Sequence, residues 1–210
     1  MNPQRALDLF GGLPGRDIAQ LWEAARDLPG TELRPGLWLG RNGGMPAAMK
    51  WVARRVVKRD YFAKLVFEDF GVNVRVAQDG SHALLPASDG APGHRVDMPF
   101  ALTEHGLDYG FHVLGRNSKR LQMRDYLRVI DLGEVARLAP ADALAAVGVD
   151  PGEPGEGELV IGYMAPLGVE RLKGTPFGMV WWRDTTAEEE AGALAWISRR
   201  RMVDSSIVLR

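Results

Sequence analysis

Asp108 and His112 are the residues of this chain whose types and spacing most directly suggest chemistry. If residues 107–114 form a strand, alternation puts Asp108, Gly110 and His112 on one face. A carboxylate and an imidazole so placed can serve as an acid–base pair or as two ligands of a metal ion. A metal would need a third ligand, with Glu104 or His105 nearest, and none is assigned. The plainer alternative is a polar face turned to water. No other machinery is assembled. The chain has no phosphate loop, no Gly-x-Ser-x-Gly, no His-Glu-x-x-His and no dinucleotide fingerprint. No cofactor is expected.

A second group of residues is suited to binding. Tyr109, Phe111 and Val113 form the opposite face of the same segment. Neighbouring segments supply Phe100, Met123, Tyr126, Tyr163, Met164, Met179 and Trp181 or Trp182. Such residues most often make plain core. In a barrel of roughly eight strands the interior either fills with side chains or holds one small ligand. Met and aromatic rings are suitable lining for an apolar one. The expected lining is Tyr109, Phe111, Met123, Tyr126, Tyr163, Met179 and Trp181. Arg116, Lys119, Arg120, Arg124 and Arg128 cluster at 116–128, where Arg124 and Arg128 share a face with Tyr126. They form either a solvated face or, through Arg124, a clamp for a carboxylate or phosphate at a barrel mouth.

The elements that must position these groups are short. Gly36-Leu37-Trp38-Leu39-Gly40 reads as a first strand with Trp38 in the core. The glycines permit close backbone approach at either end. Before it, Leu7, Leu9 and Phe10 mark a docked segment, and Ile18, Leu21, Trp22 and Ala25 recur at helical spacing over 16–28. Pro46 opens an expected helix at 46–58, with Lys50, Arg54 and Lys58 on one side. That side is a solvated face or a surface for an acidic partner. From Tyr61 the period changes to two. Strands are expected at 64–67, 72–77, 81–85, 96–103, 107–114, 121–130, 158–165 and 177–183. The turns between most of them are short, which favours an antiparallel meander. Pro140 splits a helical stretch at 134–147. Thr185 and Thr186 stand three residues before Glu188 and Glu189, which is capping-box spacing for a helix at 185–201.

Composition narrows the class. The 210 residues are 46% hydrophobic and 25% charged, with net charge −1. That balance gives no field to draw in nucleic acid or an anionic membrane. Cys is absent, which suits a reducing cytoplasm. No stretch approaches the roughly 20 apolar residues of a membrane span, and Met1–Gly15 lacks the apolar run of a signal peptide. The expected setting is cytoplasmic, with no nucleic-acid or membrane partner.

Three segments carry a resemblance: Arg5-Ala-Leu-Asp-Leu-Phe-Gly-Gly-Leu-Pro14, the Gly36–Gly40 motif, and Met49–Phe67 ending in Lys64-Leu-Val-Phe67. Together they resemble the GXWXG-domain family of uncharacterised bacterial proteins. Glu158–Arg183, with Leu-Val-Ile-Gly-Tyr-Met164 and Trp181-Trp182, is similar to the domain that accompanies it. Gly36-Leu37-Trp38, together with Arg183 ahead of a C-terminal helix, is also similar to the lipocalin pattern. That likeness implies a structural role for Gly36, Trp38, Gly40 and Arg183, with Arg183 as a cation over the Trp38 indole.

The fold expected is mainly β (α+β), an antiparallel meander closed or nearly closed into a lipocalin-like barrel with flanking helices. It forms one domain: helical segment 1–60, barrel 61–183 and C-terminal helix. The function expected is binding of a small apolar molecule in the barrel. The alternatives are hydrolase or isomerase-like acid–base chemistry in the same cavity, and protein interaction through the basic helix 46–58.

Overall fold

A computed structural model describes residues 1–44, 60–87, 93–109, 123–151, 153–166 and 174–203. The expected helix at 46–58, Phe111, His112, Arg116, Lys119 and Arg120 lie outside these residues. Helices α1 (Pro3–Gly12) and α2 (Gly15–Ala24) lead into a two-residue strand β1 (Arg26–Asp27) and a 3-10 turn at Gly30–Glu32. The barrel strands follow: β2 (Gly36–Asn42), β3 (Tyr61–Val66), β4 (Phe70–Val74), β5 (Val96–Thr103), β6 (Gly106–Asp108) and β7 (Met123–Asp131). Helices α3 (Leu132–Leu138) and α4 (Ala141–Ala146) intervene before β8 (Glu158–Pro166), β9 (Pro176–Arg183) and helix α5 (Ala187–Val203).

Each strand from β2 to β9 pairs antiparallel with its neighbour in sequence, and β9 returns to β2. The result is a closed eight-stranded antiparallel barrel with flanking helices. The pairing of Thr103 with Gly106 and of Ala101 with Asp108 makes the tight β5–β6 hairpin expected at Glu104–Gly106. One expected strand is reduced. Residues 81–85 form the bridge Val76–Leu84 and backbone hydrogen bonds with Arg75, Ala77 and Arg95 in place of a full strand, and β4 pairs directly with β5. The helix expected over 16–28 ends at Ala24, where the chain turns to lay β1 along β7.

Both faces of the barrel wall are buried, and this explains the unbroken apolar run of the Gly36–Gly40 strand. Leu37, Leu39, Leu65, Leu159, Ile161 and Val180 point outward. They pack with Leu7 and Phe10 of α1, Leu13 just after it and Ile18 of α2, and α5 adds Ala193 and Ile197. Trp38, Val66, Phe100, Leu107, Leu127, Val129, Val160, Phe177 and Met179 point inward as a separate cluster, joined by Leu28 and Leu33 from the segment around the 3-10 turn. That segment lies so close to the β5–β6 turn that a Cβ on Gly30 would strike the Gly106 carbonyl. It closes one end of the barrel. The connections 43–60, 75–95, 109–122 and 167–175 all leave from the opposite end.

The α5 terminus forms the capping box read from Thr186 and Glu189. The Thr186 amide donates to Glu189 Oε2 at 2.9 Å, and the Glu189 amide donates to Thr186 Oγ1 at 3.2 Å.

Candidate functional site

Strand alternation carries two charged side chains into the barrel interior. On β3, Phe62, Lys64 and Val66 share the inner phase. On β7 the same phase holds Met123, Asp125, Leu127 and Val129. Lys64 and Asp125 side chains are 3% and 2% exposed, and their charged atoms meet at 3.2 Å. Lys64 Nζ also donates to Asn73 Oδ1 at 2.9 Å and to the Tyr109 hydroxyl. Tyr109 in turn donates to Asp125 Oδ2 at 2.7 Å. Asp125 Oδ1 is buried without a hydrogen-bond partner. A buried carboxylate oxygen left unpaired costs free energy that a donor would recover.

Aromatic rings enclose this quartet. Lys64 Nζ lies 5.4, 5.1, 5.2 and 5.4 Å from the ring centroids of Phe62, Phe100, Tyr109 and Phe177. These are cation–π distances. Glycines set the rings there. A Cβ on Gly40, Gly71 or Gly162 would collide with the ring of Phe62, Phe100 or Phe177 respectively. Each Phe therefore leans across a bare backbone on the neighbouring strand and presents its face inward. The other glycine of the motif, Gly36, has φ +148° and takes the Trp181 indole against it in the same manner.

Burial lowers the Lys64 pKa, and the Asp125 charge and hydrogen bond oppose that fall. Burial raises Tyr109 well above 10, and Asp125 beside it adds to the rise. Tyr109 is thus a neutral donor at ordinary pH. The quartet lies in the half of the barrel away from the closed end: Asn73 is next to the last residue of β4, Tyr109 follows β6, and Asp125 is the third residue of β7. Trp38, Val66 and Leu107 are buried, whereas Phe62, Met98, Tyr109 and Met123 are half-buried.

The expected lining residues divide between the two faces. Tyr109, Met123, Met179 and Trp181 follow the inner phase. Tyr126 and Tyr163 are paired across β7 and β8 on the outer face, where Tyr163 meets the Trp22 ring edge-on at 4.9 Å. Arg124 is also outside and donates to Asp108 at 2.9 Å. Asp108 is therefore buried beneath an arginine on the outer wall, not open to the interior that acid–base chemistry in the barrel requires. Arg128 donates to Asp27 at 2.8 Å and to the Trp22 carbonyl at 2.9 Å.

Trp38 is 3% exposed, and its indole N–H donates to the Arg34 carbonyl at 2.8 Å. The cation expected over it lies elsewhere. Arg183 pairs with Leu37 on the outer phase and makes a bidentate contact with Glu189, at 2.7 and 3.0 Å. Trp38 faces Trp181 instead, and Arg34 covers Trp181 at 3.7 Å. The cause is the register shift between Leu37 and Trp38, which leaves Trp182 unmatched and 43% exposed and turns Arg183 away from the indole.

Lys64, Asn73 and Asp125 were not among the candidates from sequence. Their signal is a polar residue in phase with apolar neighbours on strands whose other phase is covered as well. Among the described residues no group of three or more His, Cys, Asp or Glu is arranged to hold a metal, and no helix is long and apolar enough to cross a membrane.

Fold and site together define a closed antiparallel β-barrel whose aromatic interior holds, among the described residues, the Lys64–Asn73–Tyr109–Asp125 cluster. No family model, curated protein or solved structure matches the chain.

Proposed function

We propose that the protein binds a small, largely apolar molecule inside the barrel, with a polar group of the ligand meeting the Lys64–Asn73–Tyr109–Asp125 cluster. One observation carries the reading. In an interior of aromatic and aliphatic side chains, Asp125 Oδ1 is buried and unpaired. An apolar molecule with a hydrogen-bond donor satisfies both surroundings at once. The half-buried Phe62, Met98 and Met123 beside the quartet give such a molecule its approach. We place this activity in the cytoplasm, in keeping with the cysteine-free composition.

N-phenyl-1-naphthylamine, an apolar fluorophore with one N–H donor, tests the reading. Its emission is expected to rise on titration into the protein. Energy transfer from tryptophan is expected to fall in Trp181→Phe, because that indole lies on the inner phase. Absence of enhancement, or enhancement with transfer unchanged by Trp181→Phe, would refute binding in the interior.

A further inference from the structure

We infer that Lys64 captures the ligand covalently, as an imine, and that the ligand class is therefore an apolar aldehyde or ketone. This rests on the binding reading above and names the chemistry of the same site. Three features converge on it. The amine stands among four aromatic rings, apolar surroundings of the kind an apolar carbonyl compound prefers. It is in hydrogen-bond contact with two groups able to move protons, the Tyr109 hydroxyl and the Asp125 carboxylate. Both groups also contact each other, so a proton can pass between them. Burial favours the neutral amine, the form that attacks.

The steps balance within these groups. Asp125 accepts one proton from the Lys64 ammonium. The freed nitrogen lone pair attacks the carbonyl carbon and forms the C–N bond. A proton moves from that nitrogen to the former carbonyl oxygen through Tyr109 and Asp125, giving a carbinolamine. Protonated Asp125 then delivers its proton to the hydroxyl, the C–O bond breaks and water leaves. The nitrogen lone pair forms the C=N bond. The product is a protonated imine on Lys64 facing the Asp125 carboxylate. One water is released and no oxidant or reductant takes part. Asn73 Oδ1, 2.9 Å from Nζ, holds the nitrogen in place as a positioning residue.

The test uses 2-naphthaldehyde with cyanoborohydride, which fixes an imine as a stable secondary amine, followed by peptide mass mapping of the intact chain's adducts. The chain's other lysines, Lys50, Lys58, Lys119 and Lys173, serve as internal references. Lys64 is expected to label at least tenfold faster than any of them, and Lys64→Met to abolish the fast phase. Tyr109→Phe, which keeps the ring, and Asp125→Asn are expected to slow Lys64 labelling at least tenfold in protein that retains its far-UV circular dichroism. Lys64 unlabelled while N-phenyl-1-naphthylamine still binds would overturn the covalent inference and leave the binding reading intact. Failure of both would overturn both. Lys64 labelling that is fast but unchanged by Tyr109→Phe would overturn the proton-transfer role of Tyr109.

Discussion

Removing the carboxylate from Asp125 strands a charge, and the size of the effect follows from where Lys64 sits. In Asp125→Ala the Lys64 ammonium, 3% exposed, keeps only Asn73 and Tyr109 as acceptors. Breaking a buried ion pair by deleting one partner costs about 3–5 kcal/mol. Lys64 has an escape, because it can fold neutral. Delivering it deprotonated at pH 7, from an ordinary pKa of 10.5, costs about 5 kcal/mol at roughly 1.36 kcal/mol per pH unit. That figure is a ceiling, and the pair-breaking cost lies at or just below it. The ceiling falls as pH rises. A lysine whose folded pKa lies below its unfolded value binds fewer protons when folded. Its contribution to stability therefore rises with pH from the folded pKa up to 10.5. Urea unfolding followed by tryptophan emission should show Asp125→Ala losing about 3–5 kcal/mol at pH 7, and no more than about 1.4 kcal/mol at pH 9.5, the ceiling there. The double variant Lys64→Met/Asp125→Leu should recover most of the loss, since apolar replacement of a buried pair is often neutral or stabilising by about 1–4 kcal/mol. A loss below about 1 kcal/mol at pH 7, or an equal loss at both pH values, would refute the buried-charge account.

Three further outcomes are expected. Trp38→Ala should cost about 3–5 kcal/mol in chemical denaturation, as for other buried aromatic truncations; Trp38→Phe should fold with a milder loss from the hydrogen bond to the Arg34 carbonyl. Gly71→Ala should cost about 1–3 kcal/mol by forcing the Phe100 ring off its seat, and should weaken N-phenyl-1-naphthylamine binding in titrations where folding is retained. Glu189 ties β9, α5 and His94 together; burial alone would raise its pKa, but Arg183, the Thr186 amide and His94 hold it below 4.5. Its stabilisation is thus complete above pH 4.5 and lost as pH falls through the folded value, so Glu189→Gln should lower stability at pH 7 by about 1–3 kcal/mol and flatten the acid side of the urea-midpoint profile.

Much of the barrel is legible in the chain because its strands are consecutive and its tight turns carry their own signals. Glu104-His105-Gly106 marks the β5–β6 hairpin, and Thr186 with Glu189 marks the start of α5. The failures have physical causes. The 81–85 segment has strand-like residues, but β4 and β5 pair directly up to Val74, and the segment is held only past the end of that pairing, by Arg75, Ala77 and Arg95. The lipocalin likeness puts Arg183 over Trp38, which unbroken alternation along β9 would allow, but one unmatched residue, Trp182, reverses that count and turns Arg183 to the outer face.

The same counting rule contains the clue to the interior. A half-exposed strand alternates apolar and polar residues, so a polar residue in it defaults to solvent. In β3 the outer phase is Tyr61, Ala63, Leu65 and the inner is Phe62, Lys64, Val66. Neither phase is a solvent face, and Lys64 must therefore be buried whichever way the strand turns. A buried lysine requires an acceptor. Asp125 on β7 fits that requirement, standing in phase with Met123, Leu127 and Val129 while Arg124 and Arg128 take the other side. What sequence periodicity does not supply is the distance around the barrel: β3 and β7 are not neighbours in the sheet. Only closure brings their inner phases face to face, and the glycines opposite Phe62, Phe100 and Phe177 give the rings room to lie around the pair.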